Sequence, residues 1–215
     1  MHISVSMDPA LWWYLSRASA IVGWFMLTAS VLWGIVLATD LFPKQRKAAW
    51  LLAMHRWLAG LTFFFVAGHL ATLAADSHSH FGLRAMTIPF ASEWRPTAIT
   101  LGIAGLYLLI AVQLTALAKK RLSKKWWRDI HFASYAVFWS VSVHSALAGT
   151  DASRALYTIP SVIVLAATVF AVSYRILSRD LPKRRPARAA KQLPVAPKPA
   201  ATQPVTAMKA NGWMS

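Results

Sequence analysis

The sequence predicts an all-α membrane protein, a bundle of about five transmembrane helices. Hydrophobic residues make up 57% of the 215 positions, more than an ordinary water-soluble domain carries. They fall in five blocks of about the 20 residues that a helix needs to cross a bilayer. Lysine and arginine lie mostly between these blocks and in the tail, so the charge marks loops rather than a solvated helix face.

The five blocks cover about residues 18–39, 48–73, 97–117, 130–147 and 155–174. The first is preceded by Trp12, Trp13 and Tyr14, aromatic residues typical of a membrane–water interface. The fourth is short and carries polar residues, so its ends are the least defined. Length and pattern favour one membrane domain at 11–178, between a short N-terminal segment at 1–10 and a basic tail at 179–215.

The distribution of lysine and arginine predicts the orientation. Three lie in the first loop (44–47), six in the third (119–128) and nine from Arg175 to Lys209, against only Arg84, Arg95 and Arg154 in the remaining loops. The positive-inside rule therefore places the N-terminus outside and the tail in the cytoplasm. The tail is rich in Pro, Ala and Lys without hydrophobic periodicity, which predicts disorder.

Composition also excludes several classes of protein. There is no cysteine, which rules out disulfides, iron–sulfur clusters and thiol catalysis. The net charge of +16 would suggest nucleic acid in a soluble protein, but here membrane topology accounts for it. The expected environment is a lipid bilayer, with no nucleic-acid partner.

Four of the seven histidines fall in or at the ends of two blocks, whereas His2, His78 and His80 lie outside all five. The second block carries His55 and His69, and the fourth carries His131 and His144. Histidines inside membrane spans are rare and normally face a bundle interior or a cofactor. Spacings of fourteen and thirteen residues correspond to roughly 21 and 20 Å along a helix, so each block presents one histidine near each membrane face.

The two blocks run parallel, so the histidines are expected to pair by depth. His55 lies level with His131 near the cytoplasm, and His69 lies level with His144 near the outer face. Two imidazoles at each of two depths are what two bis-histidine b-type haems require as iron ligands, whereas a zinc ion would need four ligands. The alternatives are core histidines bonded to backbone carbonyls, or a transporter that relays protons through them.

The helical period leaves one conflict. On an α-helix, residues fourteen apart, such as His55 and His69, point in directions that differ by about 40° around the axis. Residues thirteen apart, such as His131 and His144, differ by about 140°. Either the fourth span is locally tightened, near Ser140 and Ser142, or the two haems are offset sideways.

This pattern of paired histidines resembles the ferric reductase-like transmembrane domain, the family of ferric reductases, NADPH oxidases and the membrane subunit of bacterial methionine sulfoxide reductases. Two stretches resemble family signatures, Trp-Leu-Leu-Ala-Met-His-Arg-Trp at 50–57 and Trp-Arg-Asp-Ile-His-Phe-Ala-Ser-Tyr-Ala-Val-Phe-Trp at 127–139. The resemblance covers about 11–174. It implies a multi-pass protein, expected in a bacterial inner membrane, that carries electrons from a cytosolic donor through the inner and then the outer haem.

Many family members carry a flavin and nicotinamide module after the last helix, and only a short basic tail follows here. The electron donor is therefore expected to be a separate flavoprotein, a quinol or a flavin or quinone held by a partner. Reduction of ferric iron or another metal outside the cytoplasm is the leading expectation for an oxidoreductase of this kind. The alternative redox role is a haem subunit that passes electrons to a periplasmic enzyme.

Two arginines complete the predicted cofactor-binding set. Arg17, at the outer end of the first span, is where the family often places a partner for an outer haem propionate. Arg56, with Lys125 and Arg128, is expected to serve the inner propionates. Phe64 or Phe138 is expected to fill the gap between the two porphyrins.

Overall fold

The computed structural model describes residues 9–39, 49–76, 81–150 and 154–177, and every regular element in these ranges is a helix. The predictions for His2, His78, His80, the first basic loop and the tail lie outside the described residues. In chain order the helices are α1 (Pro9–Ala38), α2 (Ala49–Ala75), α3 (Leu83–Thr87), α4 (Pro96–Leu117), α5 (Lys124–Phe132), α6 (Ser134–Ala148) and α7 (Ala155–Leu177).

Four helices, α1, α2, α4 and α7, are long and apolar enough to cross a membrane. They match the first, second, third and fifth predicted spans. Large apolar side chains cover the outer faces of α2 and α7, among them Trp57, Ile163 and Phe170. Such surfaces are stable in lipid rather than in water, so the chain is a multi-pass membrane protein.

The fourth predicted span is two helices, α5 and α6, which meet at Ala133. The amide of Ala133 donates to the carbonyl of Ile130 at 3.0 Å, an i to i−3 bond that tightens the turn. The irregularity therefore lies two residues after His131, not near Ser140 and Ser142, where a tightening of the helix was expected. The 15 residues of α6 extend about 22 Å, so this helix is shorter than the four spanning helices.

Helix α1 is the central element of the bundle. It packs mainly on α2 and also contacts α6 and α7, while α4 packs mainly on α6. Its buried stripe meets residues of α4 and α6 in one core of eight side chains: Trp24, Leu27, Val31, Ile35, Leu109, Val112, Val137 and Phe138. A hydrogen bond of 2.9 Å from Trp24 Nε1 to Ser142 Oγ joins α1 to α6 inside this core.

Residues 81–95, which precede α4, fold back on the bundle through α3. Tyr107 Oη donates to the carbonyl of Thr87 at 2.6 Å, and the guanidinium of Arg95 donates to the carbonyl of Leu147. Arg95 has left-handed backbone geometry, with φ 44°, directly before Pro96 begins α4. This segment closes one end of the bundle over the larger of the two cavities described below.

Candidate functional site

Two cavities lie between the helices, and each is lined by one pair of histidines. The large cavity, about 880 Å³, is lined by His69 and His144. The small cavity, about 290 Å³, is lined by His55 and His131. Ligand pockets in proteins commonly measure roughly 300–1,000 Å³. The structure therefore brings the four histidines together in the two pairs that their spacing predicts.

In the small cavity the rings of His55 and His131 are neighbours in an edge-to-face arrangement, with centroids 6.0 Å apart and planes inclined by 76°. On its other side His131 stacks on Trp127 at 5.2 Å, with planes only 16° apart. The Nδ1 atoms of both histidines are buried without a hydrogen-bond partner. The backbone carbonyl of Ser30 lies close to His55 but outside hydrogen-bonding geometry.

In the large cavity both histidines are fixed by backbone carbonyls of a neighbouring helix. His69 Nδ1 lies 2.9 Å from the carbonyl oxygen of Ser16 in α1, and 3.0 Å from its Oγ. His144 Nδ1 lies 2.7 Å from the carbonyl oxygen of Ala98 in α4. A carbonyl can only accept, so each Nδ1 carries the hydrogen. The Nε2 lone pair of each ring is then the one available to a ligand, as in metal-binding histidines.

Two glycines give the imidazoles room. A Cβ atom at Gly34 of α1 would lie 3.3 Å from Cε1 of His55, and one at Gly102 of α4 would lie 2.8 Å from Cε1 and Nδ1 of His144. The second distance is shorter than any normal carbon contact, so no larger residue fits at position 102 unless the ring moves. Each cavity therefore holds a histidine that is packed directly on a helix backbone.

The predicted arginines are placed differently from one another. Arg17 lines the large cavity, with its guanidinium 6.0 Å from the ring centre of Trp13. Arg56 is exposed and lines neither cavity. Arg128 does line the small cavity, together with Arg175, whose Nη1 donates to the carbonyl of Ala38 at 2.7 Å.

The large cavity also contains hydroxyl and carboxylate groups. Tyr157 of α7 and Ser145 of α6 share a hydrogen bond of 2.7 Å between their hydroxyls, and both line this cavity. Asp76, at the end of α2, is buried and lines it too. These groups supply polar contacts beside an otherwise apolar wall, the usual composition of a small-molecule site.

Within the described ranges no group of three or more His, Cys, Asp or Glu side chains could hold a metal ion. Each cavity instead offers two imidazoles, which would suit an iron whose remaining ligands come from a macrocycle.

Several parts of the site have no signal in the sequence. The carbonyls of Ser16 and Ala98 are backbone groups, which every residue possesses.

Phe64, expected between the two levels, is 68% exposed and points away from the core. Phe138 is fully buried, and neither of these two rings is among the residues that line the cavities.

No family model, curated protein or solved structure matches this chain.

Proposed function

We propose that the chain binds two b-type haems and carries electrons across a membrane, as the resemblance to ferric reductase-like domains implies. The observation that carries the proposal is the pairing of the histidines. Each pair takes one residue from α2 and one from α5 or α6, and each pair lines its own cavity. Two ligand pairs on different helices are the arrangement that bis-histidine haem requires.

The two histidines of the small cavity lie close enough together to hold one bound group between them. The centroids of His55 and His131 are 6.0 Å apart, and the Nδ1 atom of each ring is buried without a hydrogen-bond partner. These two residues would hold the inner haem.

The large cavity supports the proposal through the hydrogen bonds of its histidines and the charge of Arg17. The hydrogen bonds from His69 to Ser16 and from His144 to Ala98 hold both rings in the tautomer that leaves Nε2 free. Arg17 lines the same cavity and offers a positive charge to a propionate carboxylate. In the small cavity Arg128 and Arg175 would take that role, rather than the predicted Arg56.

Haem, when bound, supplies a one-electron centre whose potential depends on its axial ligands and their hydrogen bonds. We propose that the His55/His131 site receives electrons from a cytoplasmic flavoprotein or quinol and that the His69/His144 site delivers them to an acceptor outside. Outward transfer from a negative interior is downhill by about 2.3 kcal/mol per 100 mV. Ferric chelates are the leading class of acceptor, and a periplasmic redox enzyme is the alternative.

The test is the haem content of the purified chain. A pyridine haemochrome assay should give about two haems per polypeptide, and the reduced-minus-oxidised spectrum should show low-spin b-type bands. His2→Ala, outside the predicted spans, is the matched control and should retain both haems. A content near zero would overturn the proposal, and a content near one would mean that one of the two pairs is not a haem site.

A further inference from the structure

The two cavities meet at a single layer of side chains, which we call the septum. It consists of the four residues that line both cavities: Leu27, Thr62, Leu109 and Val137. One comes from each of α1, α2, α4 and α6, so the layer is closed from four sides. We propose that the septum is a proton barrier that lets this chain pass electrons without passing protons. The proposal rests on the haem function above.

Burial supports this role. Thr62 and Val137 are each only 1% exposed, and Leu27 and Leu109 are below 10%. Val137 belongs with Leu27 and Leu109 to the core cluster that joins α1, α4 and α6. A layer this closely packed excludes water, and crossing it would strip a hydrated proton of its hydrogen bonds, which costs several kcal/mol.

The one polar group of the septum has no free hydrogen. Thr62 Oγ1 donates to the carbonyl of Leu58 in its own helix at 2.9 Å. A proton relay needs a hydroxyl that accepts on one side and donates on the other, and this one is bonded back to the backbone. Thr62 is therefore the polar member of an otherwise apolar layer, not a step in a proton wire.

The titratable groups divide into two sets with none in the septum. His69, His144, Arg17, Asp76 and Tyr157 line only the large cavity. The small cavity has its own set: His55, His131, Arg128, Arg175 and Tyr135. Among the described residues that line the cavities, none that titrates touches both.

Other hydroxyls of the core near the septum are also engaged in hydrogen bonds. Thr28 donates to the carbonyl of Trp24 in its own helix at 2.8 Å, and Ser140 donates across to the carbonyl of Leu101 in α4 at 2.7 Å. Ser142 accepts from Trp24 Nε1 of α1. Among the described residues these bonds do not form a chain from one cavity to the other. An electron needs no such chain, because it can tunnel between redox centres.

The test measures passive proton entry into vesicles that contain the purified chain and a trapped pH-sensitive dye. A potassium gradient with valinomycin supplies the driving voltage, and no electron donor is added. The double variant Leu109→Ala, Val137→Ala removes side-chain volume from two sides of the septum. It should raise proton flux by about tenfold or more, whereas the wild-type chain should be as tight as empty vesicles.

Matched controls use the same substitutions on the same helices at lipid-facing positions. Leu114 of α4 is 59% exposed and Val143 of α6 is 39% exposed, so Leu114→Ala and Val143→Ala should leave the flux at the wild-type level. Thr62→Val keeps the shape of the side chain and removes the hydroxyl. If the hydroxyl relays no protons, the proton flux of this variant should equal that of the wild-type chain.

Haem content, measured on every preparation, separates this inference from the proposed function. A double variant that keeps its haem and shows the wild-type proton flux would overturn the barrier role of the septum and leave the proposed haem function untouched. A wild-type chain without haem, together with a leaking double variant, would overturn the haem function and leave the barrier standing. If the double variant loses its haem, Leu109→Ala and Val137→Ala are measured singly, and tightness in both overturns the inference.

Discussion

The imidazole of His144 lies directly on the backbone of Gly102. A Cβ atom at position 102 would come within 2.8 Å of two atoms of the ring, so the imidazole and helix α4 are in contact with no side chain between them. One turn earlier on α4, the carbonyl of Ala98 accepts a hydrogen bond from Nδ1 of the same ring at 2.7 Å. Position and tautomer of His144 are therefore both set by one turn of α4.

Gly102→Ala should displace His144 and weaken or abolish haem binding in the large cavity. Overpacking of this kind costs about 1–3 kcal/mol. The expected result is a haem content that falls from about two towards one, with a changed low-spin spectrum for what remains. Gly34→Ala, where the approach to His55 is a looser 3.3 Å, should have a smaller effect on the other haem.

Gly60→Ala is the matched control for both glycine substitutions. A Cβ atom there would meet nothing within 4 Å, and alanine is favoured over glycine in a helix by about 1 kcal/mol. This variant should keep two haems and unfold at the wild-type temperature or above. Equal haem loss in Gly60→Ala and Gly102→Ala would show that the contact with His144 is not what matters.

The histidine pairs should act as two independent sites. His69→Ala or His144→Ala should remove the haem of the large cavity and leave one that an internal donor still reduces, since His55 and His131 are untouched. Reduction of a ferric chelate outside reconstituted vesicles should stop. His69→Ala protein that reduces the external chelate at the wild-type rate would contradict the two-haem path.

His55→Ala or His131→Ala should give the converse result. One haem should remain in the large cavity, but electrons supplied from inside should no longer reach it. The measurement is the rate of haem reduction in vesicles with a trapped reductant. Rapid reduction of the remaining haem would mean that electrons enter without passing the small cavity.

The hydrogen bond between Trp24 and Ser142 should stabilise the packing of α1 against α6. Trp24→Phe and Ser142→Ala should each lower the free energy of unfolding. The lost hydrogen bond accounts for about 0.5–1.5 kcal/mol, and any polar group left unpaired adds to this loss. Because both changes remove the same bond, the double variant should lose less than the two losses added together. Strict additivity in thermal melts followed by haem absorbance would contradict this coupling.

Topology gives a prediction that is independent of haem. If α6 crosses the bilayer together with α4 and α7, reporter fusions at positions 80 and 197 should report opposite sides of the membrane, with the tail in the cytoplasm. Lysine and arginine are concentrated in the loops that this orientation places inside. Reporters that agree would mean that the number of crossings is even between those two positions.

The sequence predicted the helices well because block length and hydropathy determine them directly. The predicted spans at 48–73 and 97–117 differ from α2 (Ala49–Ala75) and α4 (Pro96–Leu117) by at most two residues at either end. The fourth span was harder to predict. The helical period showed that His131 and His144 could not both face the same direction on one regular helix, but it did not show where the helix is broken. The break at Ala133 depends on a backbone hydrogen bond, and alanine is itself a good helix former.

The residues around the histidines were predictable only in part. The histidines are distinctive because polar groups inside membrane spans are rare. Arg17 was found by resemblance, whereas Arg175 was counted only as a tail charge because the fold that brings it to the small cavity was unknown. Leu27, Leu109 and Val137 look like any other membrane-span residue, and only the packing of four helices distinguishes them.

Each cavity takes one histidine from α2 and one from α5 or α6, and this division sets the order in which the sites can form during synthesis. When α2 enters the bilayer, His55 and His69 have no partner, because about sixty further residues must be made before His131 is available and more before His144. Neither site can therefore be completed on the first hairpin of α1 and α2. If a cofactor binds these histidines, it would find only half of each site until α6 packs on α1 and α4, so its insertion would follow the synthesis of most of the membrane domain.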